Sequence, residues 1–337
     1  MKQFHWISPK TKNDLDFTKG GVKNSNEFFH EISDGIIDFR YPKILSKEDK
    51  DAEQFYDNRA DDYEKYLHLT FQTYNEDEIE IRNAMIDLLA LSSESKVLEI
   101  ASGTGRDSVL LAERLGECGE LFLTDISHEM LLRCKNKIQN QKITAEINYA
   151  LVNAMYIPLP DNYFDAVYSF GALGEFSDKT KFFKEVVRVC KPGAKVVVGD
   201  ENLPIWQRET EFGRILSNYN KQFLADVPFE SLPVEARNVQ CQWIIGGVFY
   251  VVSFSVGEGE LFANFDFQIP GVRGGTHKTR MYGQLEGVNY ETKKLAWMAR
   301  EKLGVSMHSW LDSIVKKEAE KVLQSDENEM DKKRSNF

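Results

Sequence analysis

The segment Lys96 to Asp125, KVLEIASGTGRDSVLLAERLGECGELFLTD, constrains this chain more than any other. It opens on a short apolar run, Val97-Leu98-Glu99-Ile100, which reads as a strand. A glycine turn follows, Ala101-Ser102-Gly103-Thr104-Gly105. Val109, Leu110, Leu111 and Leu115 then recur at helical spacing, and Leu121-Phe122-Leu123 forms a second strand ending on Asp125. Strand, glycine loop, helix and strand in this order make the opening half of a nucleotide-binding α/β unit. Glycines are needed where a ligand approaches the backbone, since a Cβ would obstruct it. Asp125, at the tip of the second strand, is placed to accept hydrogen bonds from both hydroxyls of a ribose.

Two details narrow the nucleotide. A dinucleotide fingerprint ends on a third glycine or an alanine, where this chain has Ser108. Glu99 lies four residues before Gly103, and a carboxylate pointing into that turn repels a pyrophosphate. It suits a ligand with positive charge, such as the amino group and sulfonium of S-adenosylmethionine. The phrase E-I-A-S-G-T-G-R at Glu99 to Arg106, with T-D-I-S at Thr124 to Ser127, resembles motif I and its acidic partner in class I S-adenosylmethionine-dependent methyltransferases. Within that class it looks like the ubiquinone/menaquinone-biosynthesis group. A dinucleotide or flavin domain with a degenerate loop is the alternative.

Further phrases carry the same resemblance over roughly residues 51 to 256. Tyr56-Asp57-Asn58-Arg59-Ala60-Asp61-Asp62-Tyr63 is similar to a family phrase whose helix covers the methionine end of the cofactor. Asn153-Ala154-Met155 stands where the family usually begins with Asp-Ala, the acid accepting from the adenine amino group; an amide oxygen can still accept that bond. Asn162 to Phe170 resembles the fourth strand, and the loop after it, Gly171 to Phe176, falls at the carboxyl end, where such sheets gather ligands. EVVRVCKPGA, at Glu185 to Ala194, matches the turn into the fifth strand, Lys195 to Gly199. Val239 to Ile245 and Val248 to Val256, about Gly246-Gly247, read as a closing hairpin.

The fold this implies is α/β, a doubly wound, seven-stranded, mostly parallel sheet of the Rossmann-like methyltransferase type. It carries a small N-terminal cap and an α+β C-terminal extension. Residues 1–50 read as a β-rich leader, with Phe4 to Ile7 as one strand and Ile32 to Phe39 as two strands about a turn. The leader resembles a zinc-ribbon-like leader of some bacterial methyltransferases but lacks its metal cysteines, so no zinc is expected. Residues 51–256 form the cofactor domain. Residues 257–324 form the extension, with Thr276 to Gly283 as a strand and two helices similar to the helix pair of ribbon-helix-helix proteins. Residues 325–337 are polar and read as a disordered tail.

Composition bounds the function. At 42% hydrophobic and 12% aromatic, 337 residues can bury a large core. No run approaches a membrane span, the N-terminus does not read as a signal peptide, and four scattered cysteines suit a reducing compartment, so a cytoplasmic location is expected. A net charge of −11 makes nucleic acid an improbable partner for the whole surface, although Arg273, His277, Lys278 and Arg280 form a local basic group. The six histidines show no metal or triad spacing, so no metal is expected.

The resemblance implies cofactor contacts from Tyr63, Glu99, Ala101, Ser102, Gly103, Gly105, Asp125, Ile126, Asn153, Ala154, Met155 and Phe170, with S-adenosylmethionine as the cofactor. A small-molecule acceptor is the first expectation; a protein or nucleic-acid acceptor, or a cofactor-binding protein without turnover, are the others. Methyl transfer is a direct displacement and needs alignment more than an acid–base pair. Glu175 is the weak candidate for a base, with Asp200 and Glu201 behind it. The apolar residues of the extension imply either packing on the same chain or a homodimer.

Overall fold

The computed structural model describes residues 4–33, 35–283 and 288–334. The chain divides into two compact units, Met1–Glu260 and Leu261–Phe337. The first is built on eleven strands: β1 (Asp16–Thr18), β2 (Gly21–Lys23), β3 (Phe28–Ser33), β4 (Ile36–Asp38), β5 (Lys96–Ile100), β6 (Glu120–Asp125), β7 (Glu146–Leu151), β8 (Phe164–Phe170), β9 (Cys190–Glu201), β10 (Ala236–Ile244) and β11 (Phe249–Val256). They form one sheet in the order β1-β2-β3-β4-β7-β6-β5-β8-β9-β11-β10. Its helices are α1 (Lys47–Tyr66), α2 (His68–Tyr74), α3 (Glu78–Asp87), α4 (Arg106–Glu113), α5 (His128–Gln139), α6 (Lys179–Val189) and α7 (Glu211–Tyr219).

The central strands read as continuous apolar runs because both faces of the sheet are covered. Successive side chains point to opposite faces, so each strand feeds two cores. Val97, Leu121, Ala166 and Val197 pack with Met85, Leu111 and Leu131 from α3, α4 and α5. Leu98, Phe122, Val167, Val196 and Val198 pack with Phe182, Phe183 and Val186 from α6. Capping fixes where helices start: Ser46 accepts from Asp49 N, Ser127 from Met130 N and Asp178 from Lys181 N.

The structure corrects the expected sheet. The seven strands legible in the sequence are consecutive in it, but the leader adds four, so the sheet has eleven strands. Five strand pairings are parallel and five antiparallel, so it is mixed rather than mostly parallel. The leader is therefore not a separate cap. β4 runs parallel to β7, with Ile37 opposite Ala150 and Asp38 opposite Leu151, which removes an otherwise open sheet edge. Phe4 to Ile7 is not a strand; only Ile7 makes an isolated bridge, to Asp14. Its aromatics are core instead. Trp6 is 4% exposed and stacks against Phe39, while Phe4 meets Phe122 edge-on.

The second unit contains α8 (His277–Tyr282), α9 (Tyr290–Leu303) and α10 (Met307–Arg334) and no strand among its described residues. The strand expected at Thr276 to Gly283 is helix α8, because Thr276 and Thr279 form a reciprocal capping box that starts a helix there. The extension is thus helical rather than α+β. α10 continues to Arg334, past the point where an unstructured tail was expected, and residues 335–337 lie outside the described residues. Two members of the basic group are engaged locally: Lys278 pairs with Asp266 at 2.6 Å, and Arg280 donates to Gly274 O at 3.0 Å.

Because the leader is core, removing it should unfold the sheet rather than free an intact domain. Trp6→Ala is expected to cost about 3–5 kcal/mol, read as a lowered urea midpoint at unchanged slope. A protein lacking residues 1–45 that still melts cooperatively near the intact chain's temperature would contradict this account.

Candidate active site

The turn after β5 is built on left-handed backbone. Ala101, Gly103 and Gly105 have φ of 59°, 54° and 82°. Ser102 N donates to Thr124 O at 3.0 Å, tying the turn to β6. Asp125 then organises it. Gly103 N donates to Asp125 Oδ2 at 2.8 Å and Ser127 N to Oδ1 at 2.9 Å. Burial raises the Asp125 carboxyl to about 6, against the pull of these backbone donors.

The two glycines differ. A Cβ on Gly103 would meet nothing within 4 Å, and Gly103 lines the cavity above the turn. A Cβ on Gly105 would lie 2.7 Å from Cys134 Sγ and 3.0 Å from its Cα. Gly105 lines neither of the two main cavities. Its lack of a Cβ lets the start of α4 sit against α5.

Behind the turn lies a buried charge network. Glu99 is 3% exposed and accepts from Ser108 Oγ at 2.5 Å; burial first, then nearby Asp107, holds its carboxyl well above the ordinary range. Arg82 bridges Glu78 at 2.8 Å and Asp107 at 2.7 Å, and Arg106 also pairs with Glu78 at 2.8 Å. Ser102 Oγ and Asp107 Oδ1 are buried with no hydrogen-bond partner. Such orphaned atoms are uncommon, and both residues line the cavity.

Two adjoining cavities cross the carboxyl ends of β5, β6, β8 and β9. Tyr56, Tyr63, Ala101, Gly103, Phe170 and Glu175 line both. The first continues past Asp125 to Ile126, Met130, Val152, Asn153, Ala154 and Met155. Asn153 is fully buried: its Oδ1 accepts from Met155 N at 3.1 Å and its Nδ2 donates to Asp49 Oδ2 at 3.0 Å. A carboxylate therefore does stand here, supplied by α1. The second cavity continues to Phe71, Asp200, Glu201, Gln222, Ile245 and Phe249. Gln222 Nε2 donates to Glu175 Oε1 at 2.6 Å, and Gly174 N and Glu201 N donate to Asp200.

α1 closes the top and is fastened along its length. Arg40 pairs with Glu53, Ser127 Oγ donates to Asp57 at 2.5 Å, and Arg133 pairs with Asp61 at 2.8 Å. Lys137 pairs with Glu64 at 2.8 Å, and Thr104 Oγ1 also donates to Glu64.

All the residues expected at the site except Gly105 line these cavities. Asp49, Arg82, Asp107, Gln222 and Phe249 were missed. Asp107 lies two residues past the glycine turn, while Asp49, Arg82, Gln222 and Phe249 come from elements distant in sequence and nothing local marks them.

Residues 98–198 match the family model described as a methyltransferase domain. The matched segment is a class I S-adenosylmethionine-dependent methyltransferase domain. The ubiquinone/menaquinone biosynthesis C-methyltransferase of Haemophilus ducreyi is 36% identical over 121 residues, 36% of this chain and 47% of that protein. The protein of the same description from Serratia proteamaculans is also 36% identical, over 36% of this chain and 48% of its own length. The chain thus spans about half the length of the curated relatives it matches. Among solved structures, a SAM dependent methyltransferase from Aquifex aeolicus is 19% identical, covering 52% of this chain and 89% of that one with a TM-score of 0.39. Geranyl diphosphate C-methyltransferase from Streptomyces coelicolor is 11% identical, covering 64% and 99% with a TM-score of 0.48. At that level of likeness nothing about the ligand follows.

In this methyltransferase domain, Gly105→Ala should act on stability. Left-handed backbone and the overlap with Cys134 together should cost about 1–3 kcal/mol, read in thermal melts. Cys134→Ala in the same chain should return part of it. A Gly105→Ala protein with unchanged stability would show that the glycine is not there for packing.

Proposed function

We propose that the chain is an S-adenosylmethionine-dependent methyltransferase acting on a small-molecule acceptor. The observation that supports this most is that two cavities adjoin. One is an apolar slot from Asn153 to Asp125, the other a chamber reaching Asp200, and Tyr63, Gly103 and Phe170 line both. When bound, the cofactor supplies an electrophilic methyl group on a sulfonium.

The residues present fit that group. Asp125 keeps lone pairs for two ribose hydroxyls while its backbone donors hold it in place. Ile126, Met130, Ala154 and Met155 offer apolar walls to a flat ring, and Asn153 and Asp49 offer acceptors to an exocyclic amino group. Glu99 and the orphaned Asp107 Oδ1 and Ser102 Oγ suit the amino acid end, where a cation needs acceptors. Tyr63 and Phe170, shared by both chambers, exclude water where the methyl group would cross. Glu175 stands beside that crossing, with the Asp200–Glu201 pair farther in. No helix among the described residues is long and apolar enough to cross a membrane. The four free cysteines support a reducing compartment, the cytoplasm. Exposed Leu295, Leu303, Leu311 and Ile314 of α9 and α10 support association of two copies through the extension, which light scattering tests; a concentration-independent monomer mass removes it.

Asp125→Ala removes charge-assisted bonds of about 1.5–3 kcal/mol, a tenfold to roughly hundredfold loss of S-adenosylmethionine affinity. Calorimetry on a variant shown to be folded by circular dichroism checks this, and unchanged affinity would falsify the assignment. The pH dependence has a definite sign. Asp125 is raised to about 6, and its charged form is the stronger acceptor. Affinity should therefore hold above that pH and fall as pH drops through it, by about tenfold one unit below. An affinity flat between pH 5 and pH 7.5, both rough bounds on that window, would remove Asp125 as the ribose acceptor.

A further inference from the structure

The chamber beyond Phe170 is anionic and apolar together. Glu175, Asp200 and Glu201 line it alongside Phe249 and Tyr56. The donors to these carboxyls are neutral: the Gln222 amide, the backbone of Gly174 and Glu201, and a hydrogen bond that Asp200 and Glu201 share. No ion pair among the described residues includes any of the three. The chamber's two arginines are already spent on other acids, Arg82 on Glu78 and Asp107 and Arg106 on Glu78. Its uncompensated charge is negative.

Buried carboxylates without a cation are costly, and an apolar wall would serve the core better. Burial raises both Asp200 and Glu201; Asp200 raises Glu201 further, and the charge of Glu175 raises each. That the cavity takes a polar ligand has separate support. Ser102 and Asp107, 6% and 7% exposed, line the same cavity, and Ser102 Oγ and Asp107 Oδ1 are buried there. A ligand bringing positive charge into the far chamber would satisfy the acids, and the aromatic faces would attract the same charge. An acceptor that reacts as a phenolate or enolate would develop negative charge beside them, which is unfavourable.

Resting on the methyltransferase reading of this cavity, we propose that the acceptor is a small amine, held as its ammonium by Glu175, Asp200 and Glu201 and methylated on nitrogen. The ammonium gives one proton to the Asp200–Glu201 pair and becomes a free amine. The nitrogen lone pair then forms the N–C bond while the methyl–sulfur bond breaks and its electron pair stays on sulfur. The products are a methylated ammonium and S-adenosylhomocysteine.

The full chain is first titrated with S-adenosylhomocysteine, then, when saturated, with benzylamine, benzyl alcohol or benzoate. Benzylamine should bind at least about tenfold more tightly than benzyl alcohol, and benzoate most weakly. Glu201→Gln and Glu175→Gln should each reduce that preference while leaving S-adenosylhomocysteine affinity within about threefold. With methyl-labelled S-adenosylmethionine, label should appear on the nitrogen of benzylamine. Equal or reversed order among the three probes, or a preference surviving both substitutions, overturns the amine assignment alone. Absence of binding in the first titration removes the methyltransferase reading, and this proposal with it.

Discussion

The pairing of Asp125 with the Gly103 backbone is the contact on which the site depends. It spans β5 and β6, the two strands at the centre of the sheet, and it sets the shape of the turn between them. A carboxylate 7% exposed is tolerated there only because two backbone N–H groups point at it. Those donors cost the fold little, since a turn and a helix start must present free N–H groups anyway. The same geometry leaves the outer lone pairs of Asp125 facing the cavity. On the proposed reading, structure and ligand recognition use one side chain.

A second consequence is the role of α1. It is an amphipathic helix with a weak apolar face, and charge pairs rather than core packing hold it over the cavity. Such pairs are individually modest and screened by salt. A cover held this way can let ligand in without breaking the sheet. Its contribution to the cavity is chemical as well as mechanical, because Asp49 places a carboxylate against Asn153.

Much of this was legible in the sequence because the determinants are local. The glycine turn, Asp125 and the apolar strands lie within one short segment, and their periodicities follow directly from sheet geometry. The hairpin β10–β11 was equally clear from two apolar runs about Gly246-Gly247. What was not legible depends on partners distant in sequence. The leader's aromatics read as a cap because nothing local says that Trp6 will meet Phe39 and Phe122. Asp49 and Asn153 are 104 residues apart, so the carboxylate missing from one position could not be seen to return at the other. At Thr276 a capping box competed with strand-like composition, and local hydrogen bonding decided it. That Cys134 stands behind Gly105 is likewise invisible in the sequence.

The central claim is that the Gly103–Asp125 turn receives an adenosyl cofactor with a cationic amino acid end, not a dinucleotide. Calorimetric titration of the intact chain with S-adenosylhomocysteine and with NAD, side by side, tests it most directly. The account predicts saturable one-to-one binding of S-adenosylhomocysteine and none of NAD, because the wall at the turn carries the carboxyl groups of Glu99 and Asp107 while its arginines, Arg82 and Arg106, are already paired with acids. Saturable binding of NAD without binding of S-adenosylhomocysteine would contradict it.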